Sequence, residues 1–213
     1  MKYIELDSWK RKEHYELFKG LDYPHFSICA NVDISQIYPF IKKLKLSFFK
    51  TILFAITQSA NSVKELRYRI QGEKIVEYSK VNPSFTILTE DDLFSFCTVE
   101  YVENFKEFII NTSKEINNIQ KNPSLRNKLS CDNILYITSI PWISFTNITH
   151  TINMHPVDSI PRITWGKFFE DNRKLKLPLS IQVHHALVDA IHVANFFKSF
   201  QKLVNDPSLT IAR

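Results

Sequence analysis

LPLSIQVHHALVDAIHVANFFKSFQKLV, residues 177–204, holds the plainest structural instruction in the chain. Leu177, Leu179, Ile181 and Val183 alternate with Pro178, Ser180, Gln182 and His184. A period of two with one apolar set is a strand with one apolar face. From Asp189 onward the period changes. Val193, Phe196, Phe197, Phe200, Leu203 and Val204 recur at helical spacing, so a helix runs from Asp189 to Val204. Strand parity carried one step further puts His185 on the apolar face and turns His184 to the other.

That junction, His-His-x-x-x-Asp, is where chemistry is expected. Imidazole is the side chain whose ordinary pKa lies near neutrality, so it can accept a proton at working pH. Asp189 follows His185 by four residues at the helix start. Two other readings of the same residues stand beside the catalytic one. His185 could be a core histidine satisfied by backbone, with Asp189 a plain helix N-cap. His184, His185, Asp189 and His192 could also form a metal site, but parity separates the two adjacent histidines and no Glu lies at zinc-protease spacing. The catalytic reading is preferred and no metal is expected.

Upstream, Asp7-Ser8 can cap a helix beginning near Trp9, and Phe26 to Asp33 reads as a strand. Ser35 to about Leu66 has apolar residues at helical spacing, as two helices broken near Leu46. Lys74–Tyr78, Ser84–Leu88 and Phe94–Tyr101 are short runs rich in β-forming residues. Glu103 to Gln120 is a helix ended by Asn122-Pro123, and Asn133 to Ile140 is a strand stopped by Pro141. Strands in runs with helices interspersed define an α+β fold, a two-layer mixed β-sheet covered by helices. No repeat, linker or low-complexity tract divides the chain, so residues 1–213 are expected to form one domain.

Composition narrows function. The formal charge is +5 with 23% charged and 44% hydrophobic residues, spread without a dense basic block, so nucleic-acid binding is not expected. The 3 glycines are Gly20, Gly72 and Gly166. Phosphate-cradling loops need clustered glycines, so dinucleotide and P-loop fingerprints are excluded. Cys29, Cys97 and Cys131 are scattered and form no CxxC pair, which suits a reducing compartment and disfavours thiolate zinc. Leu46 to Thr57, the most apolar stretch, is too short to span a bilayer, and the amino-terminal residues lack a signal-peptide core. A cytoplasmic location without membrane association is expected.

Several segments, taken in order, resemble the chloramphenicol acetyltransferase family. QVHHALVDAIHVANFF (182–197) resembles its His-His-x-x-x-Asp-Gly segment, TSIPWISFT (138–146) its Ser-x-x-Pro-Trp stretch, and PRITWGKFF (161–169) its Pro-x-x-Thr-x-Gly-Lys stretch. WKRKEHYELF (9–18), VNPSFT (81–86) and LFSF (93–96) match as well. The resemblance implies the family's fold, that of CoA-dependent acyltransferases, and a homotrimer with active sites at subunit interfaces. It further implies an acetyl-CoA-dependent O-acetyltransferase whose leading small-molecule hydroxyl acceptor is chloramphenicol, hence antibiotic resistance. Another small hydroxyl compound is the alternative acceptor, and a catalytically impaired fold relative acting as a binding protein is the alternative function.

Residue by residue, the resemblance makes His185 the general base and Asp189 the ion-pair partner of Arg11, fixing the loop. Thr138 stands where the family's oxyanion-binding serine lies; Ser139 is next to it but on the other strand face. Thr164 matches a threonine that holds the intermediate through water, and Lys167 a position near the nucleotide end of CoA. Phe18, Thr86, Phe94, Ile148, His150 and Arg162 are expected in or near the acceptor pocket. Ala190 replaces the family's glycine, at a strain cost if the position requires positive φ. A buried cation needs a partner, so Arg162 is expected either to point to solvent or to meet a polar or acidic acceptor.

Overall fold

A computed structural model describes residues 1–123, 125 and 132–211. The strands are β1 (Lys2–Ile4), β2 (His25–Asp33), β3 (Tyr68–Gln71), β4 (Lys74–Glu77), β5 (Asn82–Leu88), β6 (Phe94–Thr98), β7 (Ile134–Ile140), β8 (Arg162–Gly166), β9 (Phe169–Asp171) and β10 (Lys174–His184). The helices are α1 (Lys12–Lys19), α2 (Ile37–Lys43), α3 (Phe48–Asn61), α4 (Phe105–Lys121), α5 (Ala190–Asn205) and α6 (Pro207–Ile211).

The main sheet is mixed and 7-stranded, ordered β2-β10-β8-β7-β5-β6, with β9 also on β10. β5, β7 and β8 run parallel and the other pairs are antiparallel. A 3-stranded sheet, β1-β4-β3, stands apart. The two are tied by Arg69, fully buried on β3. Its guanidinium donates to the carbonyls of Leu66, Tyr68, Asp132 and Ile134. With no buried carboxylate bonded to it, burial lowers its pKa to about 10.

Register divides the main sheet into two chemically different faces. Phe85, Ile137, Ile163, Trp165, Leu179, Ile181 and Val183 align on one side, all 0–2% exposed. Helices cover that side: Phe49 of α3 sits 5.3 Å from Phe85 and 5.5 Å from Trp165, ring centre to ring centre. Each such aliphatic side chain removed from water contributes about 1.5–3 kcal/mol. Ser84, Tyr136, Thr138, Arg162, Thr164, Ser180, Gln182 and His184 align on the opposite side. β10 therefore has a polar face that is buried too, with Ser180 and Gln182 only 1% and 2% exposed.

Most elements legible in the sequence are present within a few residues. The break near Leu46 arises because Lys45 adopts a positive φ of 53° and Ser47 caps α3, its side chain accepting from Lys50 N–H. The amino-terminal helix starts later than Trp9, at Lys12, after a 3-10 turn over Leu6–Ser8. β1, β3, β8 and β9 are only 3–5 residues long and were not expected as strands. β8 alternates Arg162 and Thr164 with Ile163 and Trp165, yet all of it is buried, so the alternation marks no wet face. Cys29 is half-buried and Cys97 buried, and Cys131 lies outside the described residues.

Candidate active site

β10 delivers His185 to the surface as strand pairing ends. The ladder with β2 continues one residue beyond His184, His185 N–H donating to the Pro24 carbonyl at 2.7 Å. Val183 and His185 therefore share a side, and Phe26, opposite Val183 in register, lies 4.7 Å from the imidazole. Phe18, at the end of α1, stacks on the ring at 3.8 Å and 4°. The imidazole is held against two phenyl rings, with its side chain one-third exposed.

The loop carrying it is held by Arg11. Arg11 Nη2 donates to the His185 carbonyl at 2.7 Å and Nε to the Ala186 carbonyl at 2.9 Å. Nη1 and Nη2 engage the two carboxylate oxygens of Asp189. Arg11 thus ties two carbonyls and a carboxylate across 178 residues of chain, geometry that a planar fork supplies and a point charge does not. Its guanidinium holds the Asp189 carboxyl below the usual range, helped by His192 and His185, against the opposing effect of burial. Asp189 is also the N-cap residue of α5, and His192 Nδ1 accepts its backbone N–H at 2.9 Å. Ala190 opens the helix and is not among the residues with positive φ, so it carries no left-handed strain.

Asp189 Oδ1 lies 3.2 Å from His185 Nδ1 but is not aligned as a hydrogen bond, and that nitrogen is sealed from solvent without a partner. Nε2 is left as the nitrogen available to a substrate. His184 goes the other way. It is buried edge-on to His25 at 5.0 Å, and its Nδ1 accepts the Ala186 N–H. Burial, then His25, pushes its pKa down to about 3.

The second cluster lies on the polar sheet face. A cavity of about 350 Å³ is lined by Ser84, Thr86, Phe96, Tyr136, Ile137, Thr138 and Arg162 from the strands, and by residues 150–153 and Asp158 from the connection between β7 and β8. It gathers Thr86, Thr138, His150 and Arg162 of the residues expected from sequence. Thr164 is fully buried next to it, its Oγ1 3.0 Å from His150 Nε2. Burial, then Arg162, lowers the His150 pKa, so that ring is neutral near pH 7. Phe94 is exposed, 5.6 Å from Phe96, and Ile148 is half-buried outside the cavity lining. Lys167 is exposed, its backbone tied to Ile143 and Ser144. His185, Phe18, Asp189 and Arg11 do not line the cavity, so one chain holds the two clusters apart.

Arg162 does not point to solvent, and it already has partners within the chain. It is 8% exposed, donates to Asp158 Oδ2 and the Ile160 carbonyl, and lies 5.2 Å above the Tyr136 ring. Asp158 and Tyr136 were not singled out from sequence. The four-residue Asp158–Arg162 spacing was visible there, and Tyr136 shares the strand parity of Thr138. Phe26 and His25 carried no readable signal. Among the described residues no cluster of three or more His, Cys, Asp or Glu could hold a metal ion, and no helix is long and apolar enough to cross a membrane.

The fold is shared with solved acetyltransferases. A solved chloramphenicol acetyltransferase superposes with a TM-score of 0.83 at 23% identity, covering 95% of this chain and 99% of that one. The Azotobacter vinelandii dihydrolipoamide acetyltransferase superposes at 0.70 with 16% identity over 92% and 87%. The fold is that of the CoA-dependent acyltransferases. The family model described as chloramphenicol acetyltransferase matches residues 1–201. Chloramphenicol acetyltransferase of Clostridium perfringens is 32% identical over 95% of this chain and 94% of its own. Chloramphenicol acetyltransferase 3 of Escherichia coli is 28% identical over 96% and 98%. The chain belongs to the chloramphenicol acetyltransferase family and is an acyltransferase.

Proposed function

We propose that this chain is a cytoplasmic acetyl-CoA-dependent O-acetyltransferase, a single domain over residues 1–213, that acetylates chloramphenicol and so confers resistance to it. The observation that carries the reading is the packing around His185: two phenyl rings lie against it, and Arg11 with Asp189 fixes its loop.

His185 Nε2 removes the proton of the acceptor hydroxyl as that oxygen attacks the thioester carbonyl carbon of acetyl-CoA. The Thr138 hydroxyl donates to the oxyanion that forms, and Thr164, held by His150, steadies it through water. The tetrahedral intermediate collapses by breaking the carbon–sulfur bond, and the leaving thiolate takes the proton back from His185. Asp189 positions and does not relay, since both its oxygens are committed to Arg11. Lys167, exposed beyond β8, meets the CoA phosphates. Phe18, Thr86, Phe94, Ile148, His150 and Arg162 line or border the acceptor site.

Acyl transfer needs His185 and Thr138 at one point, and a single chain keeps them in separate clusters. We therefore place the active site between subunits of a homotrimer, His185 of one chain facing Thr138 of the next. Exposed Leu21, Tyr23, Leu93, Phe94, Trp142 and Ile143 supply apolar surface for such contacts. The test is subunit mixing, followed by thiol release with chloramphenicol. His185→Ala alone should lower kcat by about 10²–10⁴-fold. Thr138→Ala alone should lower it by about 10²–10³-fold. Co-folding the two variants in equal amounts should restore about a quarter of wild-type activity, because one site in four then pairs an intact His185 with an intact Thr138. Absence of restoration refutes the interfacial site, and full activity of His185→Ala refutes the base.

A further inference from the structure

The Arg162–Asp158 pair is built into the cavity wall, and its chemistry says what the cavity accepts. Arg162 commits donors to the Ile160 carbonyl and to Asp158 Oδ2, while Asp158 Oδ1 accepts the Ile160 N–H. A guanidinium has five N–H donors, so several remain, as does a lone pair on Oδ2. Both side chains line the cavity and are 9% and 13% exposed, so these groups face the cavity's interior and little bulk water. The pair is neutral overall. A negative ligand approaching the guanidinium must also approach the Asp158 carboxylate, and an apolar ligand would strip water from both. A neutral group that accepts one hydrogen bond and donates another satisfies both ends.

Position adds a length. Arg162 is opposite Tyr136 in register, and Thr138 lies two residues along β7. Two strand residues span roughly 7 Å. We propose that Arg162 and Asp158 are the acceptor-selecting residues of this enzyme. They receive a neutral hydrogen-bonding group, such as a carboxamide, carried roughly 7 Å from the hydroxyl that is acetylated, and they reject carboxylates there. The inference rests on the acetyltransferase reading above.

Benzyl alcohols bearing a para carboxamide, isopropyl or carboxylate group are near-isosteric probes of that length. Preference is read as kcat/KM at saturating acetyl-CoA, or as the inhibition constant against chloramphenicol acetylation where turnover is slow. The wild-type enzyme should favour carboxamide over isopropyl by about tenfold, and carboxylate should be the poorest. In Arg162→Leu/Asp158→Leu the carboxamide-to-isopropyl ratio should fall to about one. Asp158→Asn should improve the carboxylate by about tenfold, a charge-specific change that a purely structural pair would not produce. Arg162→Lys, a milder change should the double variant not fold, should lower the carboxamide ratio because the fork is lost. The proposal is overturned if the wild type prefers isopropyl or carboxylate, or if the ratios survive these substitutions. Absence of acetyl transfer to chloramphenicol and to every benzyl alcohol would instead sink the acetyltransferase reading on which it stands.

Discussion

The two faces of the 7-stranded sheet are chemically opposite, and along β10 both are buried. Ile181 and Ser180 are neighbours on β10, 0% and 1% exposed. Ile181 belongs to a continuous apolar layer under α3 and α5, where its contribution is area removed from water. Ser180 belongs to a layer of hydroxyls, amides, imidazoles and one ion pair that borders a cavity. Burial of polar groups costs free energy unless they are hydrogen-bonded, and a fold that buries this many keeps them for something other than stability. The helix-covered face holds the molecule together, and the polar face holds the cavity.

That contrast can be broken by substitution. Ile181→Ala should cost about 2–5 kcal/mol in urea denaturation, since the cavity it leaves is walled by strands that cannot collapse. A loss under 1 kcal/mol would mean the helix-covered layer is loosely packed. Arg11→Lys should come next, at about 1–2 kcal/mol, because one ammonium cannot hold two carbonyls and a partly exposed carboxylate together. The same variant should lower kcat with chloramphenicol more than it changes KM, since it loosens the loop carrying His185 and not the cavity. A selective rise in KM would contradict that.

The polar face should also reveal itself through pH. His184 is held at about 3, chiefly by burial. The unfolded chain protonates its histidine near pH 6.5, while the folded chain resists until far lower pH. The folded state therefore has its full stability above about 6.5 and loses it as pH falls, by up to about 1.4 kcal/mol per unit for this group. His25, lowered by burial as well, adds in the same direction. Denaturation between pH 7 and 5 should show the slope, and His184→Gln should flatten it; an unchanged slope would assign the effect elsewhere. The smallest effect belongs to Ser180→Ala. Its Oγ is buried without a hydrogen-bond partner, so losing it should change stability by under about 0.5 kcal/mol, ten times less than the neighbouring Ile181 at its upper bound. A large loss would mean that the hydroxyl finds a hydrogen-bond partner in solution.

Much of the fold was readable because local period and local structure coincide. The alternation in Leu177–His184 and the helical spacing after Asp189 are short-range facts, and β10 and α5 follow them. β8 was not readable in this way: Arg162, Ile163, Thr164, Trp165 and Gly166 are all buried, so its alternation of side-chain chemistry does not track exposure. Of the site, His185 was reachable by parity, and the pairing of Arg11 with Asp189 only through the family resemblance, since nothing local joins residues 178 apart.

By itself the amino-acid sequence determined which faces of which strands are apolar, where helices stop, and that an imidazole and a carboxylate stand four residues apart at a strand end. These depend on the backbone periods of 2 and 3.6, which act within a few residues. Tertiary structure alone decided that Phe18 and Phe26 pack against that imidazole, that Asp158 pairs with Arg162, and that Thr138 opens into a different cluster from His185. Each is a meeting of side chains from distant elements, set by strand order and register, and no local period encodes it.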